Sequence, residues 1–401
     1  MTPRDQPSPP DHWPAMTAEE VGWETEPDPS VSRRQRLRAR GPYQAAVVPM
    51  IADASPALSG RLVALVEEAT IEIVRFDRDL GADTAPFAAL LLRSESAASS
   101  QIENLTVGAR RIALAKLGDR SSGNAALVAS NVAAMEAAVT LADRLDEHNI
   151  LAMHRVLLAE SEPGLAGRYR GTAVWIGGSS PHTAMFVPPV HERVPDAMHD
   201  LVRFLRRDDI PALAQAAIAH AQFETIHPFP DGNGRTGRAL VGSVLRNKDI
   251  TEKVTIPVSS GLLTDTKAYF AALDAFRVGD IAPIIEMFAE STFRATRNGR
   301  ALAQDISTIR TDTIAAFGRK PSEGLSAAAE LLLREPALSA QMLMDTTGQS
   351  SSAAYRNIDR LVQVGALREA GHINGQKVWV APRVIAALDD FAARTGRRVH
   401  G

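Results

Sequence analysis

The chain of 401 residues contains no cysteine. Disulfides and thiolate metal sites are therefore excluded, which is compatible with a reducing compartment. It has no excess of one charge: the formal net charge is -3, too small to draw the whole molecule toward nucleic acid or an acidic membrane. It has no apolar run long enough to cross a bilayer. Its first residues, "MTPRDQPSPPDHWP", lack the basic start and apolar stretch of a signal peptide, so the expected compartment is the cytoplasm. It also has no Gly-Lys-Ser/Thr phosphate loop. What remains is an ordinary globular balance, 45% hydrophobic and 23% charged, in a length that suits two or three domains.

Residues 1–40 are rich in Pro, Asp, Glu and Arg and read as a flexible N-terminal tail ending in the basic "SRRQRLRARGPY". From about 57 to 300 the apolar spacing is helical almost throughout, with a second helix at 85–105 that softens in "SESAASS". The exception is "GRYRGTAVWIGGSSPHTAMFVPPV". There, strand-type runs at 173–176 and 185–187 flank a Gly-Gly-Ser-Ser-Pro turn and predict a β-hairpin. From about 320 the order is helix, helix, helix and hairpin, with Ala354, Ile358 and Leu361 on one face of the third helix and an Asn374-Gly375 turn. That is the order of a winged helix-turn-helix domain. The expected fold is mainly α. The expected division is a tail (1–40), a helical region (41–120), a catalytic domain (121–300), a helical linker (301–319) and a winged helix domain (320–401).

One stretch, "HPFPDGNGRTGR" at 227–238, concentrates chemistry. Pro228 pushes His227 out of helical geometry, so the preceding helix ends there and the imidazole projects from a rigid end. Gly232, Asn233 and Gly234 make a tight loop that a ligand can approach closely. A new helix near Arg235 then offers free N–H groups and the positive end of its dipole, an anion site. Arg235 and Arg238 supply forks suited to phosphate oxygens. Asp231 is a hard carboxylate suited to Mg2+, and His227 is a base that titrates near neutrality. Together they indicate phosphoryl or nucleotidyl transfer.

With every fixed position matched, residues 227–238 resemble the signature of the Fic family, His-x-Phe-x-Asp/Glu-Gly-Asn-Gly-Arg-x-x-Arg. The resemblance implies an all-helical domain that moves AMP from ATP to a Ser, Thr or Tyr hydroxyl of a target protein. It implies His227 as the base, Phe229 as the buried holder of the loop and Asp231 as the Mg2+ ligand. The ATP phosphates would be held along Gly232, Asn233, Gly234, Arg235, Thr236, Gly237 and Arg238, with Arg238 on the γ phosphate. Related Doc-type kinases carry Lys where this chain has Gly234, which favours AMP transfer here.

"VWIGGSSPHTAMFVPP" is similar to the family's target-aligning flap hairpin. "YFAALDAFRVGD" resembles a stretch in which Tyr269 would border adenine, with Phe270 and Leu273 in the core. "SSQIEN" matches the family's inhibitory pattern as Ser99, Glu103 and Asn104, so the resemblance implies an enzyme held shut by Glu103.

In the last domain Tyr355, Arg356 and Arg360 are expected on the outer face of the third helix. From Arg356 onward Lys and Arg outnumber Asp and Glu by eight to four. DNA binding and protein contact, including a homodimer, both stay open for this domain, and no membrane partner is expected. Beside AMP transfer stand two other readings: a DNA-binding regulator with a sensor Fic domain, and removal of AMP from a modified protein.

Overall fold

The computed structural model describes residues 13–23, 40–79, 84–318 and 320–395. Much of the expected tail lies outside them, but residues 13–23 correct that expectation. Strand β1 (Thr17–Val21) pairs antiparallel with β2 (Tyr43–Val47), Thr17 opposite Val47. Trp13 is 6% exposed and meets Phe204 and Phe276 with ring centroids 6.1 and 6.3 Å away. Arg193 grips Glu19 with two bonds of 2.7 Å. Local composition cannot order this stretch; aromatic partners far along the chain do.

Helix α1 (Gly60–Asp79) buries Leu62, Val66, Ala69, Ile73 and Phe76, a stripe at spacings of three and four. Helix α2 (Thr84–Ile102) runs unbroken through the serine-rich stretch expected to soften. Ser96, Ser99 and Ser100 are fully buried there, and Asn131 donates to the Ser96 carbonyl and the Ser100 hydroxyl. Small residues allow close packing, and their hydroxyls find partners inside. Helix α3 (Ala109–Lys116) was not anticipated from the spacing. Ser122 and Asp146 cap α4 (Gly123–Thr140) and α5 (Glu147–Leu158) through side-chain oxygens.

The expected flap hairpin is reduced to one antiparallel bridge, Ile176–Phe186, around a 3-10 turn at Pro181–Thr183. Its far stem joins the N-terminal sheet, since Ala46 N–H donates to the Val187 carbonyl at 3.0 Å. Glycines 177 and 178 both take positive φ, which bends the chain too sharply for a regular ladder.

After α6 (Val194–Leu205) comes α7 (Ala212–Ile226), buried at every position from Leu213 to Ile226. A helix covered all round is the centre of its domain. Around it pack α8 (Asn233–Asn247), α10 (Thr266–Arg277) and α11 (Ala282–Ala315), while the short α9 (Val258–Leu262) packs on α2 and α11. Helix α11 spans 34 residues and absorbs most of the stretch expected as a linker.

Beyond it lie α12 (Glu323–Arg334), β3 (Ala337–Ser339), α13 (Ala340–Thr347), α14 (Ser351–Gln363), β4 (Arg368–Ile373), β5 (Gln376–Val380) and α15 (Pro382–Arg394). The sheet order is β3-β5-β4. Ala354, Ile358 and Leu361 are fully buried on α14, and Asn374 and Gly375 both take positive φ in the hairpin turn. Tyr355 and Arg356 are exposed as expected. Arg360 is partly buried and bonds the Phe317 carbonyl at 3.0 Å, so it faces the body of the molecule instead of outward.

Candidate active site

Helix α7 ends at Ile226, and His227 takes the left-handed conformation, φ 50° and ψ 60°. Its N–H still donates to the Phe223 carbonyl at 2.8 Å. A non-glycine residue held there costs roughly 1–3 kcal/mol, so the surroundings must over-determine it. Phe229, fully buried, anchors the loop and lies flat on the His154 ring, centroids 3.7 Å apart.

His154, which no local pattern singles out, ties this loop to α5. Gly167 N–H donates to its Nδ1 at 3.0 Å, so Nε2 carries the proton and donates to the Asp231 carbonyl, also at 3.0 Å. Burial depresses its pKa to about 4, which agrees with this neutral form.

The loop closes on Gly232, in the left-handed region at φ 76°, and α8 starts at Asn233, two residues before the expected start. Asn233 turns its side chain back onto the Phe229 main chain with two bonds of 2.8 Å. Its side chain braces the loop. Thr236 is 2% exposed, and a Cβ on Gly237 would lie 2.9 Å from Phe223 and 3.0 Å from Glu224, so Gly237 faces α7. Arg235 is 5% exposed and reaches Asp231 at 3.2 Å.

Arg238 points into a cleft of about 590 Å³ that His227, Gly234, Glu103, Asn104 and Tyr269 also line. Its Nε donates to the Ser99 hydroxyl and its Nη2 to the Ser99 carbonyl, each at 2.9 Å, and Nη2 also reaches Glu103 Oε1 at 2.8 Å. Burial works against its charge, but Glu103, Tyr269 and Glu224 outweigh it and raise its pKa. Glu103 sits in the turn just past α2, and Asn104 follows at φ 62°, lining the cleft. The Glu103 carboxylate lies where a Cβ on Gly234 would be, 2.0 Å from that position. Only glycine leaves room for it over the start of α8.

Tyr269 is 1% exposed, and its hydroxyl hydrogen-bonds His220 at 2.8 Å. It forms the floor of the cleft with its polar end turned inward. Phe270, expected in the core, is 50% exposed and lines the same cleft; Leu273 is buried as expected.

Burial is the main cause of the low pKa of His227, about 4; Arg170 pushes the same way and Glu103 opposes it. The imidazole is neutral at pH 7 and able to accept a proton. Burial raises Glu224, whose Oε2 is 3.9 Å from His227 Nδ1, to a pKa of about 7. Asp231 is exposed, and among the described residues there is no cluster of three metal-ligating side chains. One exposed hard carboxylate suits Mg2+ that takes its other ligands from water and substrate phosphates.

The arrangement brings a neutral base, a helix N-terminus and a buried arginine to one cleft. The model described as the Fic/DOC family matches residues 144–245. The chain is 34% identical over 152 residues to a protein named protein adenylyltransferase fic-1 from Caenorhabditis elegans, covering 37% of this chain and 27% of that one. It is 33% identical over 149 residues to protein adenylyltransferase Fic of Nematostella vectensis, covering 36% and 32%. It thus spans about a quarter to a third of the length of these relatives. The crystal structure of a Fic family protein from Desulfovibrio desulfuricans G20 matches with a TM-score of 0.54 at 24% identity, covering 81% of this chain and 97% of that one, a likeness of fold. Among the described residues no helix is long and apolar enough to cross a membrane. Over residues 144–245, then, the chain is similar to the Fic/DOC family.

Proposed function

We propose that the protein transfers AMP from ATP to a hydroxyl of a Ser, Thr or Tyr on a target protein, and that Glu103 restrains it. The observation that carries this reading is the pairing, in one cleft, of neutral His227 with Arg238 at the start of α8. The names of the relatives over the same residues support it.

In this reading the first-turn N–H groups of α8 and the Arg238 guanidinium hold the phosphate chain. Asp231 holds Mg2+, which supplies charge neutralisation on the phosphates. The target hydroxyl attacks the α phosphorus, the bond to the β phosphate breaks, and pyrophosphate leaves. His227 accepts the hydroxyl proton. Phe270 and the floor at Tyr269 flank the base. The flap, residues 174–189, presents main chain to the target segment. Glu103 occupies Arg238 and the space over Gly234, so the γ phosphate loses its cation until the carboxylate moves. Residues 121–300 act as the catalytic domain and residues 320–401 as a winged helix domain for contacts.

The test is incubation of the wild-type and Glu103→Gly proteins with α-labelled ATP, Mg2+ and a cell lysate. The expected result is protein labelling that rises on the order of a hundredfold in Glu103→Gly, since misaligned reactants cost about that much. Labelling should vanish when His227→Ala is added. Label arriving from γ-labelled but not α-labelled ATP would overturn the reading in favour of phosphate transfer.

A further inference from the structure

Arg170 is 3% exposed, yet among the described residues no carboxylate lies within ion-pair distance of it. A buried cation with no counter-ion in contact is rare, because burial strips its hydration; Glu192 acts on this one from beyond ion-pair distance. Burial is the main cause of its pKa falling to about 10. What it has instead are four carbonyl groups. Nε donates to the His227 carbonyl at 2.9 Å, and Nη2 donates to Pro189 at 2.6 Å and Ile226 at 3.4 Å. Nη1 donates to Thr172 at 3.3 Å. Its own N–H donates to the Pro228 carbonyl at 2.9 Å.

These partners have different origins. Ile226 ends α7, where carbonyls lack helical donors and the dipole is negative. His227 is the left-handed residue that carries the imidazole. Thr172 leads into the first stem of the flap and Pro189 ends the second. One planar fork therefore ties the base's backbone to both ends of the segment that faces a target. A lysine has one ammonium point and cannot span the same four oxygens.

We propose that Arg170 is the positioning residue for His227: its guanidinium locks the left-handed histidine and the two flap stems into one unit. Base and target segment then keep a fixed register. This rests on the AMP-transfer reading for its kinetic consequence, but not for its structural one. The charge of Arg170 also faces the imidazole. The other charged groups facing it are Glu224 from α7, Glu103 from the turn after α2 and Arg277 from α10.

The test uses Arg170→Lys and Arg170→Ala, each in the full-length Glu103→Gly protein. With α-labelled ATP, turnover should fall about a hundredfold in both, while the KM for ATP stays within about twofold. Arg170→Lys keeps the charge, so the acid limb of its pH profile should stay in place. Arg170→Ala removes a cation that disfavours imidazolium, so its acid limb should move to higher pH. Added guanidinium should restore part of the turnover of Arg170→Ala and none of that of a His227→Ala protein.

Nitrogen NMR of the His227 ring, with its titration midpoint, reads the same role without any transfer assay. If the Glu103→Gly parent is inactive, the AMP-transfer reading fails. The Arg170 proposal then stands or falls on whether Arg170→Ala raises that midpoint and broadens the ring signals. If Arg170→Ala does not fold, Arg170→Lys decides by its split between turnover and KM. Parent-like turnover in a folded variant, or a loss without rescue and with an unmoved His227 midpoint, overturns the proposal.

Discussion

Glu95 lies inside α2 at 4% exposure, where its carboxyl accepts from the Ser259 N–H at 2.9 Å and from the Ser259 hydroxyl. Burial outweighs those bonds and the charge of Arg238, and raises its pKa to about 7. An acid whose folded pKa is raised holds its proton more tightly when folded. Its stabilising contribution is complete below the ordinary carboxyl range and is lost as pH rises through about 7. Glu95 therefore pulls the melting temperature down between pH 6 and 8, against the opposite pull of His154 and His227, whose depressed pKa values leave the unfolded chain binding more protons there. Glu95→Gln, which fixes the neutral shape, should lessen that downward pull by about 2 °C. Glu224 shares this pKa of about 7 and pulls the same way in both proteins, so the difference between them isolates Glu95. Calorimetric melts of both proteins across that range check it, and identical slopes would count against a protonated Glu95. His227, Asp231 and Arg238 were legible in the sequence because loop, helix start and charge lie within twelve residues. Glu95, His154 and Arg170 were not, because a buried polar residue takes its meaning from partners brought in by the fold.

At the scale of elements, β1 shows the same limit. Trp13 stands in a Pro- and Asp-rich stretch with no apolar period, so nothing local marks it as core. Its partners Phe204 and Phe276 come from α6 and α10, and Met16 N–H donates to the Arg277 carbonyl at 2.9 Å. Trp13→Ala is expected to cost about 3–5 kcal/mol, the usual loss for a large buried aromatic. Urea unfolding followed by circular dichroism measures it; a loss under about 1 kcal/mol would show that the segment is only laid on the surface. The Asn374-Gly375 turn and the buried face of α14 were readable, because turn chemistry and helical period are local. The flap was half readable. Its strand-forming residues are present, but the glycine pair reduces the ladder to a single bridge.

On the scale of the whole molecule, the C-terminal unit grips the helix that leads to Glu103. Glu335, at the end of α12, pairs with Arg93 of α2 and with Lys116 of α3, the latter at 2.9 Å. Asp389 of α15 accepts from the Ala109 N–H at 3.1 Å, holding the first turn of α3. Burial alone would raise the Glu335 carboxyl, but Arg93 and Lys116 outweigh it and bring its pKa below the ordinary value. Its contribution is therefore present above the ordinary carboxyl pKa and is lost as pH falls through the folded one. Arg93 is ten residues before Glu103, about 15 Å along the chain at helical rise. Glu335→Gln would leave Arg93 buried without its full counter-charge. Breaking one side of such a pair costs about 3–5 kcal/mol, less whatever the amide oxygen recovers. If α2 is braced there, its end should loosen and Arg238 should be released part of the time. The expected outcome is a lower melting temperature together with a severalfold rise in α-labelled transfer. The rise should be absent when Glu335→Gln is added to Glu103→Gly, because the restraint is already gone and the two changes act on one contact. A folded, destabilised Glu335→Gln protein with wild-type transfer would mean that the C-terminal unit stabilises α2 without bearing on the cleft.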